Sequence, residues 1–349
     1  MIIEPKVMVA IIVPTMNRSD FIKRLLYYYS ECSIDNTVYI ADSSDDEFHI
    51  KVIKEVITDV SLNLKVVYGH YPNANIEEAK RLILVEHVKE KYASYCGDDD
   101  FLVPRVLKKC AIFLENNLDY SNCHGNGVCI EMKDDPLHGK IQTASEYALL
   151  GNEADDPHTR VYDYLTNYWP IWSVRRVDEF KKTLKFLKKI PTEAFREITM
   201  GCVPIVQGKT KLIDELYVVR QVHENRFQSP SVLKAFIIDG WYASYKEMYR
   251  IITSEIELIT STNHPKLEAY VQKGFINYHT KALKSKLRKK ENSHLRNVKI
   301  LVRKWLPFLE FIYKKFFSKG LTLPRLRNKK SKYYLDFNQI SDFIENYDG

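Results

Sequence analysis

The N-terminal third of the chain alternates short apolar runs with segments of helical spacing. Residues 7–13 (VMVAIIV) are continuously apolar up to Pro14, which is typical of a strand buried on both faces of a parallel sheet. Similar short runs predict strands at 36–41, 64–68 and 92–96. Because strands alternating with helices indicate βαβ units, we predict an α/β fold with a mostly parallel sheet flanked by helices.

Residues that can begin helices follow these strands. Asn17 and Ser19 can cap the segment after the first strand, a helix is predicted at roughly 46–59, and Asn73 or Asn75 can open a third helix. Right-handed crossovers then place the carboxyl ends of the strands on one edge of the sheet, where such sheets bind ligands.

The pattern becomes less regular after residue 104 and nearly all helical after about 229. The predicted elements are a helix at 104–117, a strand near 126–131, an irregular stretch at 132–157, a helix at 159–167, helices near 177–201 and a strand near 211–220. We therefore predict two regions, a sheet domain at 1–228 and a helical, basic C-terminal region at 229–349.

Charge is unevenly distributed along the chain. Segment 281–332 contains 18 Lys and Arg but two acids, Glu291 and Glu310, whereas the formal net charge of all 349 residues is only +7. An acidic body with a basic tail suggests an anionic partner for the tail, either lipid headgroups or nucleic acid. The body has no basic stripe and no RNA-binding or zinc-finger pattern, so nucleic acid is not the expected partner.

Composition excludes several classes of protein. With 45% hydrophobic residues, 12 Gly and 13 Pro, the chain is neither disordered nor collagen-like. The six cysteines form no CxxC pair, which indicates reduced thiols in a cytosolic protein. The start of the sequence is apolar for only about seven residues, so no signal peptide is predicted. No run of 18 apolar residues occurs elsewhere, so no membrane span is predicted.

Three consecutive carboxylates, Asp98, Asp99 and Asp100, directly follow the fourth predicted strand. Like charges packed together are costly unless a cation neutralises them, and hard oxygen ligands favour Mg²⁺ or Mn²⁺. The alternative is a solvated turn or a helix N-terminus, where Asp is common. Their position at the carboxyl end of a parallel strand favours the metal.

Other polar residues are predicted at the same edge. Asp42 ends the second strand and can accept a hydrogen bond from a base or ribose, although such acids often serve only a local turn. Pro14 and Thr15 end the first strand, and Arg18 could face a phosphate. The sequence has neither a Rossmann glycine fingerprint nor a P-loop, so a nucleotide phosphate bound here would need a metal.

The segments IIVPTMNR and YCGDDDFLVP, with a strand ending in Asp42 between them, resemble the nucleotide-sugar domain of GT-A glycosyltransferases of the family-2 type. QGKTKLIDELYVVRQVHENR resembles a bacterial subgroup of that superfamily that is found with surface-polysaccharide genes. The resemblance covers roughly 5–228. It implies transfer of a sugar from a nucleotide-diphosphate donor to a glycan acceptor, metal-assisted and usually with inversion. It also implies that Asp42 contacts the base and that Pro14, Thr15 and Arg18 form the first nucleotide-contacting loop.

The family's metal motif is usually D-x-D at a fixed distance before a proline. Counted back from Pro104, the first acid falls on Gly97, so this sequence resembles members with a neutral first residue. In those members Asp98 would hold the ribose and Asp99 the metal ion. If the register shifts by one residue, Asp98 and Asp100 take these roles.

The resemblance also implies a catalytic base at the start of a helix about 90 residues beyond the metal motif, where it takes a proton from the acceptor. The segment at that distance is IPTEAFREITM, which lacks the family's usual Glu-Asp dipeptide. Thr192 can cap a helix that carries Glu193 and Glu197 on one face. Glu197 is the preferred base, because a first-turn acid such as Glu193 also suits the helix dipole. His223 matches a late histidine that many relatives use as a metal ligand, although a lone histidine is more often structural.

Two further features bear on substrates. Tyr168, Trp169 and Trp172 could stack on a sugar, although core positions are more typical of such aromatics. Residues 295–319 form a basic, aromatic-rich amphipathic pattern with a kink expected at Pro307. Such a helix suits an anionic membrane surface on the inner face of the cell membrane and a lipid-linked acceptor. It could instead pack on its own domain or on a second subunit.

Two other functions stay open. A sugar nucleotidyltransferase also uses an α/β sheet, carboxylates and Mg²⁺, but it normally has a glycine-rich, basic first loop, and PTMNRSD has no glycine. A non-catalytic scaffold tethered to the membrane by its basic tail is the second alternative.

Overall fold

The structure is a computed structural model that describes residues 7–59, 61–133, 135–167, 169, 172–223, 239–260, 267–291 and 320–348. Within these ranges nine strands form a mixed sheet in the order β3-β2-β1-β4-β8-β6-β9-β5, with β7 paired to β6, and helices cover both faces. The predicted α/β architecture, with helices that flank the sheet and a helical C-terminal extension, is confirmed.

The strands are β1 (Val9–Thr15), β2 (Thr37–Asp42), β3 (Lys65–His70), β4 (Tyr92–Tyr95), β5 (Phe101–Leu102), β6 (Tyr120–Met132), β7 (Ile141–Tyr147), β8 (Val174–Arg176) and β9 (Lys209–Gln221). The helices are α1 (Ser19–Glu31), α2 (Glu47–Ile57), α3 (Ile76–Glu86), α4 (Pro104–Asn116), α5 (Pro157–Asn167), α6 (Val177–Leu187), α7 (Glu193–Gln207), α8 (Trp241–Thr260), α9 (Leu267–Glu291), α10 (Leu323–Leu326) and α11 (Tyr334–Asn346).

The first four strands form the parallel part of the sheet, and β1 lies at its centre between β2 and β4. The apolar run in β1 is buried on both faces. Val9, Ile11 and Val13 pack with side chains of α1 and α2, whereas Ala10 and Ile12 pack with those of α3 and α6. The chain forms β2 on one side of β1 and β4 on the other, so a topological switch point lies between β1 and β4. At such a point the loops diverge and leave a crevice.

The other half of the sheet is mostly antiparallel and differs from the prediction in its short strands. β7 lies in the stretch that was predicted to be irregular. The strand was not predicted because most of its side chains are at least partly exposed and few are apolar. β5 has two residues and β8 three, too few to produce a periodic pattern. β6 and β9 are both longer than predicted and pair in parallel over most of their length.

The predicted helix starts are correct in position, but only one of the predicted caps forms. Asn75 caps α3, where its side chain accepts the N–H three residues further on. Arg18, not Asn17, is the residue before α1, and it makes no side-chain cap. Asn17 has a φ of 54° and donates to Asp45 instead, at 2.6 Å. Ser19 lies in the first helical turn.

The described parts of the C-terminal region pack against the sheet domain. Phe343 of α11 contacts the ring of Tyr28 edge-on, with 5.5 Å between the ring centroids, and Asp336 accepts two hydrogen bonds from Arg105 of α4. The predicted division of the chain near residue 228 stays a prediction. The tail at 295–319, with Pro307, lies outside the described residues. None of the described helices has the length and apolar character needed to cross a membrane.

Replacing Phe337 by alanine should lower the free energy of unfolding by about 3–5 kcal/mol, because its ring is 0% exposed and truncation leaves a cavity. Leu335, on the same helix, is 78% exposed, so its replacement by alanine should change the free energy by no more than about 0.5 kcal/mol. Urea unfolding followed by circular dichroism measures both. Equal losses would contradict the docking of α11.

Candidate active site

The ends of β1 and β2 form the first part of the site. Thr15 and Asp42 are register partners on these parallel strands. Asp42 is fully buried, and its carboxylate accepts hydrogen bonds from the Ser44 N–H at 2.8 Å and from the Tyr68 hydroxyl at 2.7 Å. Burial and this carboxylate raise the pKa of the Tyr68 phenol. The prediction that Asp42 lies at this edge is therefore met, with both of its oxygens already engaged. The sequence analysis did not predict Tyr68, at the end of the third predicted strand, as a partner of Asp42.

Asp98 joins the loop after β4 to the loop after β1 across the switch point. Its Oδ2 accepts from the Thr15 hydroxyl at 2.8 Å, and its Oδ1 lies 2.9 Å from Nη1 of Arg18. Burial and the neighbouring charge of Asp99 raise the pKa of Asp98 to about 7, against the opposing charge of Arg18. The predicted residues Thr15, Arg18 and Asp98 thus meet at one place.

Asp99 has the other half of the Arg18 guanidinium as its partner. Its Oδ2 lies 2.9 Å from Nη2 of Arg18 and 2.9 Å from Nε2 of His223. Burial opposes ionisation of this carboxyl, but the hydrogen bonds and charges of His223 and Arg18 outweigh it and hold the pKa below its usual range. The structure therefore brings His223, which is 124 residues away in sequence, into contact with the Asp motif.

Asp100 faces strand β9. Its Oδ2 accepts from Nε of Arg220 at 3.0 Å, and its Oδ1 accepts from the Gln221 N–H at 3.0 Å. The guanidinium carbon of Arg220 lies over the rings of Tyr147 and Trp172, 4.9 and 4.8 Å from their centroids. Because both carboxylate oxygens are engaged and the residue is buried, Asp100 joins the turn formed by Asp98, Asp99 and Asp100, here called the aspartate turn, to β9.

Arg24 of α1 is a buried arginine that the sequence analysis missed. Its Nη1 donates to the carbonyls of Pro136 and Leu137 at 3.0 and 2.9 Å, and its Nη2 donates to the Asp99 carbonyl at 3.3 Å. Burial lowers its pKa to about 10, so it stays charged at neutral pH. The sequence contained one signal that could have identified Arg24, namely a basic residue on the apolar face of the helix predicted after the first strand. Arg24 holds the loop between β6 and β7 against the aspartate turn.

A divalent cation at this site would have two protein ligands and would complete its shell with water or with oxygens of a substrate. Among the described residues, no three His, Cys, Asp or Glu side chains are arranged to hold an ion. Asp99 and His223 do meet, and Mg²⁺ commonly takes only one or two protein ligands and completes its shell with phosphate oxygens and water. Nε2 is the imidazole nitrogen of His223 that faces the Asp99 carboxylate, so the two residues present one nitrogen and one oxygen at the same place. The donor set therefore suits an ion that binds jointly with a phosphate group.

The two candidate bases lie in the first turns of α7. Burial, and repulsion by Glu77 and Glu197, raise the pKa of Glu193. Glu77 lies in the first turn of α3, so this repulsion also indicates that Glu193 lies near the start of α3. Glu197 lies near the buried phenols of Tyr164 and Tyr278, whose pKa values its charge raises in part.

The remaining predicted residues take varied positions. Thr192 is the residue before α7, as predicted, but its hydroxyl contacts Ser244 at 3.0 Å and does not cap the helix. Trp169 is buried in the core against Tyr164. Trp172 is partly exposed and donates to the Tyr147 hydroxyl at 3.1 Å, and Tyr168 lies outside the described residues.

Comparisons with known proteins add little to this geometry. No family model and no curated protein matches the sequence. Among solved structures, one match is S. aureus TarS, residues 1–349, in complex with UDP-GlcNAc, at 16% identity and a TM-score of 0.42. It covers 77% of this chain and 79% of that chain. A similarity this low carries no functional weight, so function rests on the site itself.

Replacing Tyr68 by phenylalanine should lower the free energy of unfolding by about 1.5–3 kcal/mol, because the buried carboxylate of Asp42 loses a donor. Tyr71 provides a matched control, since its hydroxyl donates to Glu86 at the exposed surface. The same change there should cost less than about 1 kcal/mol. Urea unfolding measures both variants, and an equal loss would show that Asp42 does not depend on Tyr68.

Proposed function

We propose that the protein is a glycosyltransferase of the GT-A, family-2-like type, which transfers a sugar from a nucleotide-activated donor to a glycan acceptor. The observation that carries this proposal is the meeting of Asp98, Asp99, Arg18 and His223 at the switch point between β1 and β4. Ligands of parallel α/β sheets bind in that crevice. Carboxylates, a guanidinium and an imidazole together suit a diphosphate with a divalent ion.

In this proposal the nucleotide lies across the ends of β1 and β2. The nucleobase lies on the side near Asp42. The buried carboxylate of Asp42 fixes the Tyr68 side chain and the Ser44 backbone there. The ribose lies near Asp98. Arg18 faces the diphosphate, since a guanidinium forms paired hydrogen bonds with phosphate oxygens.

The residues that would hold Mg²⁺ or Mn²⁺ are Asp99 and His223, together with the donor's phosphates. When bound, the ion would neutralise charge that develops on the leaving diphosphate. Asp100, with both oxygens bonded to β9, serves to position the turn.

A glutamate of α7 would activate the acceptor. Its carboxylate takes the proton of an acceptor hydroxyl while that oxygen bonds to the anomeric carbon and the bond from that carbon to the diphosphate oxygen breaks. Attack from the face opposite the leaving group inverts the anomeric configuration. The raised pKa of Glu193 and its position near the start of α3, the helix that follows β3, support Glu193 over Glu197, the reverse of the preference drawn from sequence.

The setting that we propose is the synthesis of bacterial surface polysaccharide at the inner face of the cell membrane. The basic segment 281–332 would bind anionic lipid and bring the enzyme to a lipid-linked acceptor. The C-terminal helices could also support an oligomer. Among the residues that the structure describes, no contact at the site favours a sugar nucleotidyltransferase or a non-catalytic scaffold.

The purified protein should show a thermal shift with one of UDP, GDP, dTDP, CDP or CMP, larger with Mn²⁺ than with EDTA, because the ion and the diphosphate bind together. Asp99→Asn should abolish the Mn²⁺-dependent part. Asp178→Asn, the same chemical change at an exposed position of α6, should leave it intact. If no nucleotide shifts the transition, or Asp99→Asn responds like the unaltered protein, the proposed donor site is wrong.

With the donor nucleotide known, release of that nucleotide from its sugar conjugates separates the candidate bases. Glu193→Gln should lower kcat by about 10²–10⁴-fold with little change in KM for the donor, because the base acts on the acceptor. Glu197→Gln should lower kcat by less than about tenfold. The opposite ranking would assign the base to Glu197, and two small effects would remove both residues from the mechanism.

A further inference from the structure

Three arginines neutralise the aspartate turn, and they differ in the groups that hold them. Arg24 is 0% exposed and is held by three backbone carbonyls. Arg220 lies over two aromatic rings and is bonded to Asp100. The Arg18 side chain is 20% exposed, close to the 23% of Arg220, so exposure does not separate the two. Of the three cations, Arg18 is the one whose guanidinium contacts the carboxylates of both Asp98 and Asp99.

Arg18 occupies the position that an ion held by Asp99 and His223 would need. Its Nη2 lies 2.9 Å from Oδ2 of Asp99 and 3.2 Å from Nε2 of His223, and these are the same two atoms that would ligate the ion. Its guanidinium carbon also lies 4.3 Å from the centroid of the Phe21 ring, on which the His223 ring stacks at 5.2 Å. Arg18 and an ion therefore cannot occupy this position together.

The contact between Arg18, Asp99 and His223 is also incompletely satisfied. Nε2 of His223 lies within hydrogen-bond distance of both a donor, Nη2 of Arg18, and an acceptor, Oδ2 of Asp99. A ring nitrogen either donates or accepts, so in either tautomer one of these contacts is not a hydrogen bond. A divalent ion would accept lone pairs from both His223 and Asp99, which removes this conflict.

We propose that Arg18 is a built-in counter-cation that a divalent ion must displace, so that the ion binds tightly only after a diphosphate has drawn the guanidinium away. This inference rests on the proposed donor site. A phosphate is a strong partner for the guanidinium, and Phe21 offers a face over which it can move. Because coupling between two ligands is reciprocal, the diphosphate and the ion should each strengthen the binding of the other.

The test is Mn²⁺ binding followed by the electron paramagnetic resonance signal of the free ion, with and without the nucleoside diphosphate that shifts the thermal transition. Arg18→Met keeps the apolar stem and removes the charge. Lys23→Met removes the same charge from the same helix, at a residue that lines a groove against α11. Arg18→Lys keeps a charge without the paired geometry, and circular dichroism checks the folding of each variant.

Without nucleotide, Arg18→Met should bind Mn²⁺ about tenfold more tightly than the unaltered protein or Lys23→Met, a typical size for coupling between sites. Arg18→Lys should fall between them, and adding Asp99→Asn to Arg18→Met should abolish the gain. The nucleotide should strengthen Mn²⁺ binding less in Arg18→Met than in the unaltered protein.

Two results would overturn the inference and are distinguishable. If Arg18→Met and the unaltered protein bind Mn²⁺ equally, while binding still requires Asp99 and responds to nucleotide, Arg18 does not compete and the proposed function stands. If neither protein binds Mn²⁺ or nucleotide, the donor site itself is wrong and the inference falls with it.

Discussion

Charge balance around three buried, consecutive carboxylates is the constraint on which this edge of the molecule depends. Burying a carboxylate is costly unless hydrogen bonds and cations compensate. The compensation comes from elements far apart in sequence: Thr15 from β1, Arg18 and Arg24 from α1, and Arg220 from β9. The turn after β4 therefore connects the parallel and antiparallel halves of the sheet, and a change in either half alters the charges at the crevice.

The packing of α1 against α11 supports this arrangement of charges. Arg18 directly precedes α1, Arg24 lies nearly two turns further along the helix, and the opposite end of α1 packs against α11 through Tyr28 and Phe343. The C-terminal helix thereby holds the helix that carries the two arginines. The same arrangement pairs Asp98 and Asp99 with Arg18 and pairs Asp100 with Arg220 of β9.

Local pattern in the sequence was enough to predict the parallel strands, their helices and the edge at which Asp42, Asp98 and Arg18 meet, because buried strands and helical faces leave periodic signals. The partners of those residues could not be predicted. Tyr68 and Arg24 resemble ordinary core-facing positions, and they become part of the site only through contacts across the sheet. β7 was missed because an edge strand with mostly polar side chains has no apolar period.

The most direct test of the account is anomalous diffraction at the manganese edge from crystals grown with Mn²⁺ and the nucleoside diphosphate that binds. The account predicts one strong peak within coordination distance of Asp99, His223 and the diphosphate, with the Arg18 guanidinium moved from Asp99 onto a phosphate oxygen. A diphosphate bound away from the β1–β4 crevice, or a manganese peak without Asp99 among its ligands, would contradict it.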